Sequence, residues 1–170
     1  ARADVITDWN QTAIEVMKAA NVAGNPWTRH MAMMNVAMSD AVNTVQNRYT
    51  RFIAEGPRAP KASAEAAAAG AAREMLLRLY PDQKAKIQEA YAASIAAVAE
   101  GTARNAGTLV GEQVAAAVFA ERANDASSAP DTYRPVTTPG VWIPTTPPIF
   151  PQYATARPWG FKSPDQFRPA

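Results

Sequence analysis

One histidine, no cysteine and a scatter of carboxylates make up the chemical inventory of this 170-residue chain. His30 could join a helical metal site only with a carboxylate or second histidine three or four residues on, and Met33 and Met34 stand there instead. A packed or half-exposed structural histidine is the stronger reading. Asp40 and Asn43, three apart, suit either the polar contacts of a buried network or the lining of a cavity. Glu112 and Glu121 do not have the spacing of paired carboxylates on one helix face. A single histidine supports no Ser-His-Asp set, and neither a dinucleotide glycine fingerprint nor a phosphate-binding loop is present. Met31, Met33, Met34 and Met38 could suggest a soft metal, but at helical spacing among Val and Ala they read better as core filler. No active site emerges from these residues.

The totals bound the remaining possibilities. Hydrophobic residues make up 48% and charged residues 19%, a globular composition in a chain long enough for one domain with a real core. A net charge of +2 with scattered basic residues leaves no electrostatic footprint for nucleic acid. The lack of cysteine excludes disulfides, thiolate metal sites and a cysteine nucleophile. No apolar run reaches the roughly 18 residues that span a bilayer, so no transmembrane segment is expected. The opening Ala1-Arg2-Ala3 lacks a methionine, as in a mature form freed of its signal peptide. The expected location is therefore periplasmic or secreted, with the cytoplasm as the alternative.

The periodicity predicts an all-α fold, a bundle of about five helices around a central buried helix, with a long extended arm rich in Pro and aromatic residues. The predicted central rod runs from Asn25 to Phe52, with Asn25 as N-cap and Pro26 at the first helical position. Trp27, Met31, Met34, Met38, Ala41, Val45 and Phe52 draw one apolar stripe, and Met33, Val36, Ala37 and Val42 a second. A first helix is expected over about 4–21, with Val5, Trp9, Ala13, Val16 (with Met17) and Ala20 on one face. The two prolines and the glycine in Glu55–Pro60 mark a break.

Ser63 is the predicted N-cap of an alanine-rich third helix that Pro81 closes. A fourth, from Asp82, carries Ile87, Tyr91, Ile95 (or Ser94) and Val98, with Gly101 at C′. A fifth, about 103–123, uses Val110, Val114, Ala117 with Val118, and Glu121, and its Gly107 and Gly111 predict a close helix crossing.

Beyond Asn124 the composition changes, which divides the chain into a helical bundle at 1–124 and an arm at 125–170. Ten of the 14 prolines lie between Pro130 and Pro169. Proline at that density enforces extended or polyproline-II backbone, at about 3.1 Å per residue. The arm also carries Tyr133, Trp142, Phe150, Tyr153, Trp159, Phe161 and Phe167, large aromatics that favour burial. These seven are the candidate partner-binding residues.

Two stretches carry a family resemblance. DVITDWNQTAIEVMKAA, followed by RHMAMMNVAMSDAVN, resembles the N-terminal part of bacterial vanadium-dependent haloperoxidase-like proteins of the PAP2 phosphatase superfamily. YRPVTTPGVWIPTTPPIFPQYATARPWGFKSPDQFRP is similar to the segment that leads from their first helical region toward the catalytic half. The resemblance implies packed helical bundles and a vanadate or phosphate site built from Lys, two Arg, a Ser-Gly-His segment and a second His. This chain contains no Ser-Gly-His and no second histidine, so none of those roles can be placed on it and no cofactor is expected in this chain. If it is part of an enzyme, the implied activity is haloperoxidase- or acid-phosphatase-like, and the arm would lie on the catalytic half. The alternative is a stand-alone assembly subunit that straps onto another protein, or onto a copy of itself.

Overall fold

The computed structural model describes residues 4–54 and 58–169. Within that range five α-helices form in order, with no strand: α1 (Val5–Ala19), α2 (Asn25–Gln46), α3 (Ala64–Leu79), α4 (Lys84–Ala96) and α5 (Thr102–Glu121). Short 3₁₀ turns stand at Pro81–Gln83 and Pro151–Ala154. By internal contacts the chain divides into two units, 1–123 and 124–170. Of the predicted break at 55–60, residues 55–57 lie outside the described range.

Each helix begins and ends for a local reason. The Asp4 carboxylate accepts from Thr7 N at 2.9 Å, which caps α1. Ser63 Oγ accepts from Ala66 N at 3.1 Å and caps α3, as the sequence suggests. At α2 the predicted cap moves by one residue. Gly24, at φ +66, makes the turn into the helix, and Asn25 is already helical.

The far end of α2 departs further from expectation. Asn47 adopts the left-handed conformation (φ +54) and stops the helix, so the rod ends at Gln46 and not at Phe52. Tyr49 and Phe52 are exposed, and Phe52 lies on no buried stripe. Gly101 likewise precedes α5 at φ +138 and is not the C′ residue of α4, which ends at Ala96.

A bundle around a buried central helix forms, but the rod in the middle is α3. It packs on α1, α2, α4 and α5, and Ala66–Ala69, Ala71 and Ala72 are fully covered. Alanine lets neighbouring backbones approach, so the helix with the smallest side chains can accept the most partners. Around it Trp9, Val16, Met17, Met33, Met34, Met38, Met75, Leu76, Ile87 and Val118 supply the bulk of the core. Burial of one such side chain contributes about 1.5–3 kcal/mol. On α5 the covered face is Gly107, Gly111, Val114, Ala115 and Val118, whereas Ala117 and Glu121 face out. The predicted Gly107–Gly111 crossing is present, made against α3.

Polar contacts fix the helices relative to one another. Asn10 and Asn35 exchange side-chain amide hydrogen bonds of 2.8 and 3.3 Å between α1 and α2. Arg73 of α3 pairs with Glu112 of α5, and its guanidinium lies 4.3 Å from the centre of the Tyr91 ring of α4.

Candidate interaction surface

The groups that sequence marked for possible chemistry are each engaged structurally. His30 Nδ1 is hydrogen-bonded to the Tyr80 hydroxyl at 2.5 Å, and the two rings meet edge to face. The contact clips α2 to the C-terminal end of α3. Asp40 is buried and accepts from the backbone amides of Phe52, Ile53 and Ala54 at 2.6–2.8 Å. Asn43 Oδ1 accepts from Tyr49 N at 3.1 Å. Both side chains therefore hold the 47–54 loop against α2 and form the buried network, not a cavity lining. Met33, Met34 and Met38 are core. Among the described residues no three His, Asp or Glu side chains gather in a way that could hold a metal ion, and no helix is long and apolar enough to cross a membrane.

Tyr80 carries a testable pH dependence. Burial pushes its hydroxyl up from 10.0 to about 12. Below pH 10 the group is neutral in both folded and unfolded chains, and its contribution is complete. Between pH 10 and about 12 the unfolded chain releases the proton and the folded chain does not, so stability falls as pH rises. The loss expected across that window is about 2 kcal/mol. Urea melts at pH 9 and pH 12 should show that loss in the wild type and its absence in Tyr80→Phe. Parallel pH curves for the two proteins would contradict it.

The 124–170 unit is built differently. Its backbone is irregular apart from the turn at Pro151–Ala154, because its prolines have no N–H to give to a ladder or a helix. Internal contacts order it nonetheless. Arg157 N donates to Asp125 O at 2.8 Å, which ties the two ends of the intervening segment together, and Ser127 N donates to Asp125 Oδ1 at 3.1 Å in a local turn at its start. Pro139 and Gly140 (φ +82) form a turn closed by Val141 N donating to Thr138 O. Phe150, itself left-handed at φ +54, meets Tyr153 edge to face, and Phe161 meets Phe167 in the same way.

Of the seven aromatic candidates, Trp142 is 68% exposed, Phe167 73%, Phe161 58% and Tyr133 39%. Phe150, Tyr153 and Trp159 are half-buried. The surface includes aliphatic residues that a search for rings passes over: Val136, Val141, Ile143 and above all Ile149, at 79% exposed. The signal was legible in PPIFP, where an apolar pair sits between residues that cannot fold it into regular structure. Together these residues form an uncovered apolar set that can bury area against a partner and do no bond chemistry.

No family model matches the chain, and no curated protein or solved structure matches it either.

Proposed function

We propose that this chain is a non-catalytic helical scaffold whose 124–170 unit is a strap for a protein partner. The exposure of Trp142, Ile149 and Phe167 within one proline-rich unit carries this reading. Isolated apolar side chains at a surface need no explanation, but a concentration of them supports a binding role. Proline lowers the ordering cost of docking, because the backbone is already restricted before contact. The resemblance to vanadium haloperoxidase-like proteins suggests the partner: the half bearing the vanadate or phosphate site, to which this chain would contribute packing and no ligand. Another subunit is the competing occupant of the same surface.

The test uses Trp142→Ser, Ile149→Ser and Phe167→Ser, singly and combined. A hydrophobic dye should bind the free wild-type chain and bind the triple variant much less, with far-UV circular dichroism unchanged. Binding to the catalytic half should weaken by at least about thirtyfold for the best single variant, as at an interface hot spot. The coding sequence beyond Ala170 should supply Ser-Gly-His and a second histidine. A stop codon there, with self-association that the triple variant abolishes, would transfer the strap to a second copy of the chain. Unchanged dye binding would defeat the strap in either form.

A further inference from the structure

Between α1 and the C-terminal half of α4 the helical unit leaves a cleft of ≈ 750 Å³. Sequence explains the opening. The α4 wall is Ala90, Ala93 and Ala97, three methyl groups at helical spacing, which cannot fill the distance to α1. Trp9 forms the floor, its indole N–H donating to Ser94 Oγ at 3.2 Å. Val5, Ile6, Val42 and Val98 complete an apolar lining and are only partly covered.

The polar part of the lining has one sign. Asp4, Asp8 and Glu65 belong to it, and among the described residues no Lys, Arg or His does. Asp4 accepts from Thr7 N and Glu65 from the Ser63 hydroxyl, but among the described residues no cation pairs with any of the three. Their places in the first turns of α1 and α3 suit the helix dipole. That role does not account for the uncovered valines and isoleucine beside them. A site of this size, apolar with a few charges on its rim, has the dimensions of a small-molecule pocket.

We propose that the α1/α4 cleft binds an organic ammonium ion with an apolar body, the hydrocarbon lying over Val5, Ala93, Ala97 and Val98 and the cationic head beside Asp8 and Glu65. This site is independent of the strap. The test titrates the 170-residue protein with decylammonium, decanoate and decanol, each below its aggregation limit, and follows calorimetry and amide shifts. Decylammonium should bind saturably at one site with shifts confined to α1, α4, the α3 start and the C-terminal end of α2, and decanoate should not bind. The Asp8→Asn/Glu65→Gln pair should weaken binding about tenfold, and more at low salt than at high salt. Ala93→Trp, and Ala97→Leu as a second cleft-filling change, should abolish it while circular dichroism stays native. Equal binding of decanoate, or decylammonium binding that survives both filling variants, overturns the proposal.

Discussion

Gly111→Ala is expected to destabilise the helical unit by about 2–3 kcal/mol, and Gly111→Leu by more than about 4 kcal/mol. The sign is the informative part. In a free helix the same change to alanine gains about 1 kcal/mol. A Cβ built on Gly111 falls on the carbonyl oxygen of Ala67, 2.5 Å from Ala71 N and 3.0 Å from Gly70 C. All three are backbone atoms of the central helix, so no side-chain rotation relieves the clash. The same crossing is tight from both sides. A Cβ on Gly70 would lie 2.7 Å from Thr108 O, and one on Gly107 would lie 2.9 Å from Ala66 Cβ. Separation of α5 from α3 is the remaining response, and it uncovers Val114, Ala115 and Val118. Denaturant melts measure the loss, with Gly160→Ala as control because nothing stands within 4 Å of its added methyl. A Gly111→Ala protein as stable as wild type would show that the crossing is looser than these distances require.

The same crossing shows where sequence suffices. Two glycines one turn apart inside an otherwise good helix are intelligible only as a place of close approach, and Ser63 before an alanine run is a helix start. Such signals are local, written within a few residues of the feature they create. The choice of central helix is not local. The 25–46 helix is the greasier on two faces, but centrality depends on how many neighbours can come near, and there Ala66–Ala72 outcompete larger side chains. Periodicity misses this because alanine scores as weakly apolar while permitting the shortest interhelical distance.

The exposed unit divides in the same way. Aromatic residues among prolines are visible in sequence as a surface in need of cover. Which of them stay uncovered is decided by contacts that sequence does not show, such as the edge-to-face pair of Phe150 and Tyr153, both half-buried, whereas Phe161 and Phe167 stay exposed although their rings meet. The α1/α4 cleft had no signal of its own. It results from what Ala90, Ala93 and Ala97 fail to fill.

Asp40→Ala should cost about 3–5 kcal/mol, a large effect for a residue that touches no ligand. Its carboxylate is 1% exposed and faces the chain twelve to fourteen residues further on. Oδ1 takes the amide of Phe52 at 2.6 Å, and Oδ2 takes those of Ile53 and Ala54 at 2.8 Å. Hydrogen bonds to an ionised acceptor are roughly twice as strong as neutral ones. Alanine would remove all three and leave the buried Ala54 amide without its acceptor. Asparagine keeps one acceptor oxygen but turns an NH₂ toward backbone N–H groups, so it should recover less than half of the loss. The left-handed Asn47 ends α2 at Gln46 and turns the chain so that the backbone amides of 52–54 come within reach of this carboxylate. Amide hydrogen exchange separates this account from general destabilisation. In the alanine variant the amides of 52–54 should exchange freely at denaturant concentrations where α3 amides stay protected. Uniform acceleration across α3 and the loop would mean that Asp40 supports the whole bundle and not the loop in particular.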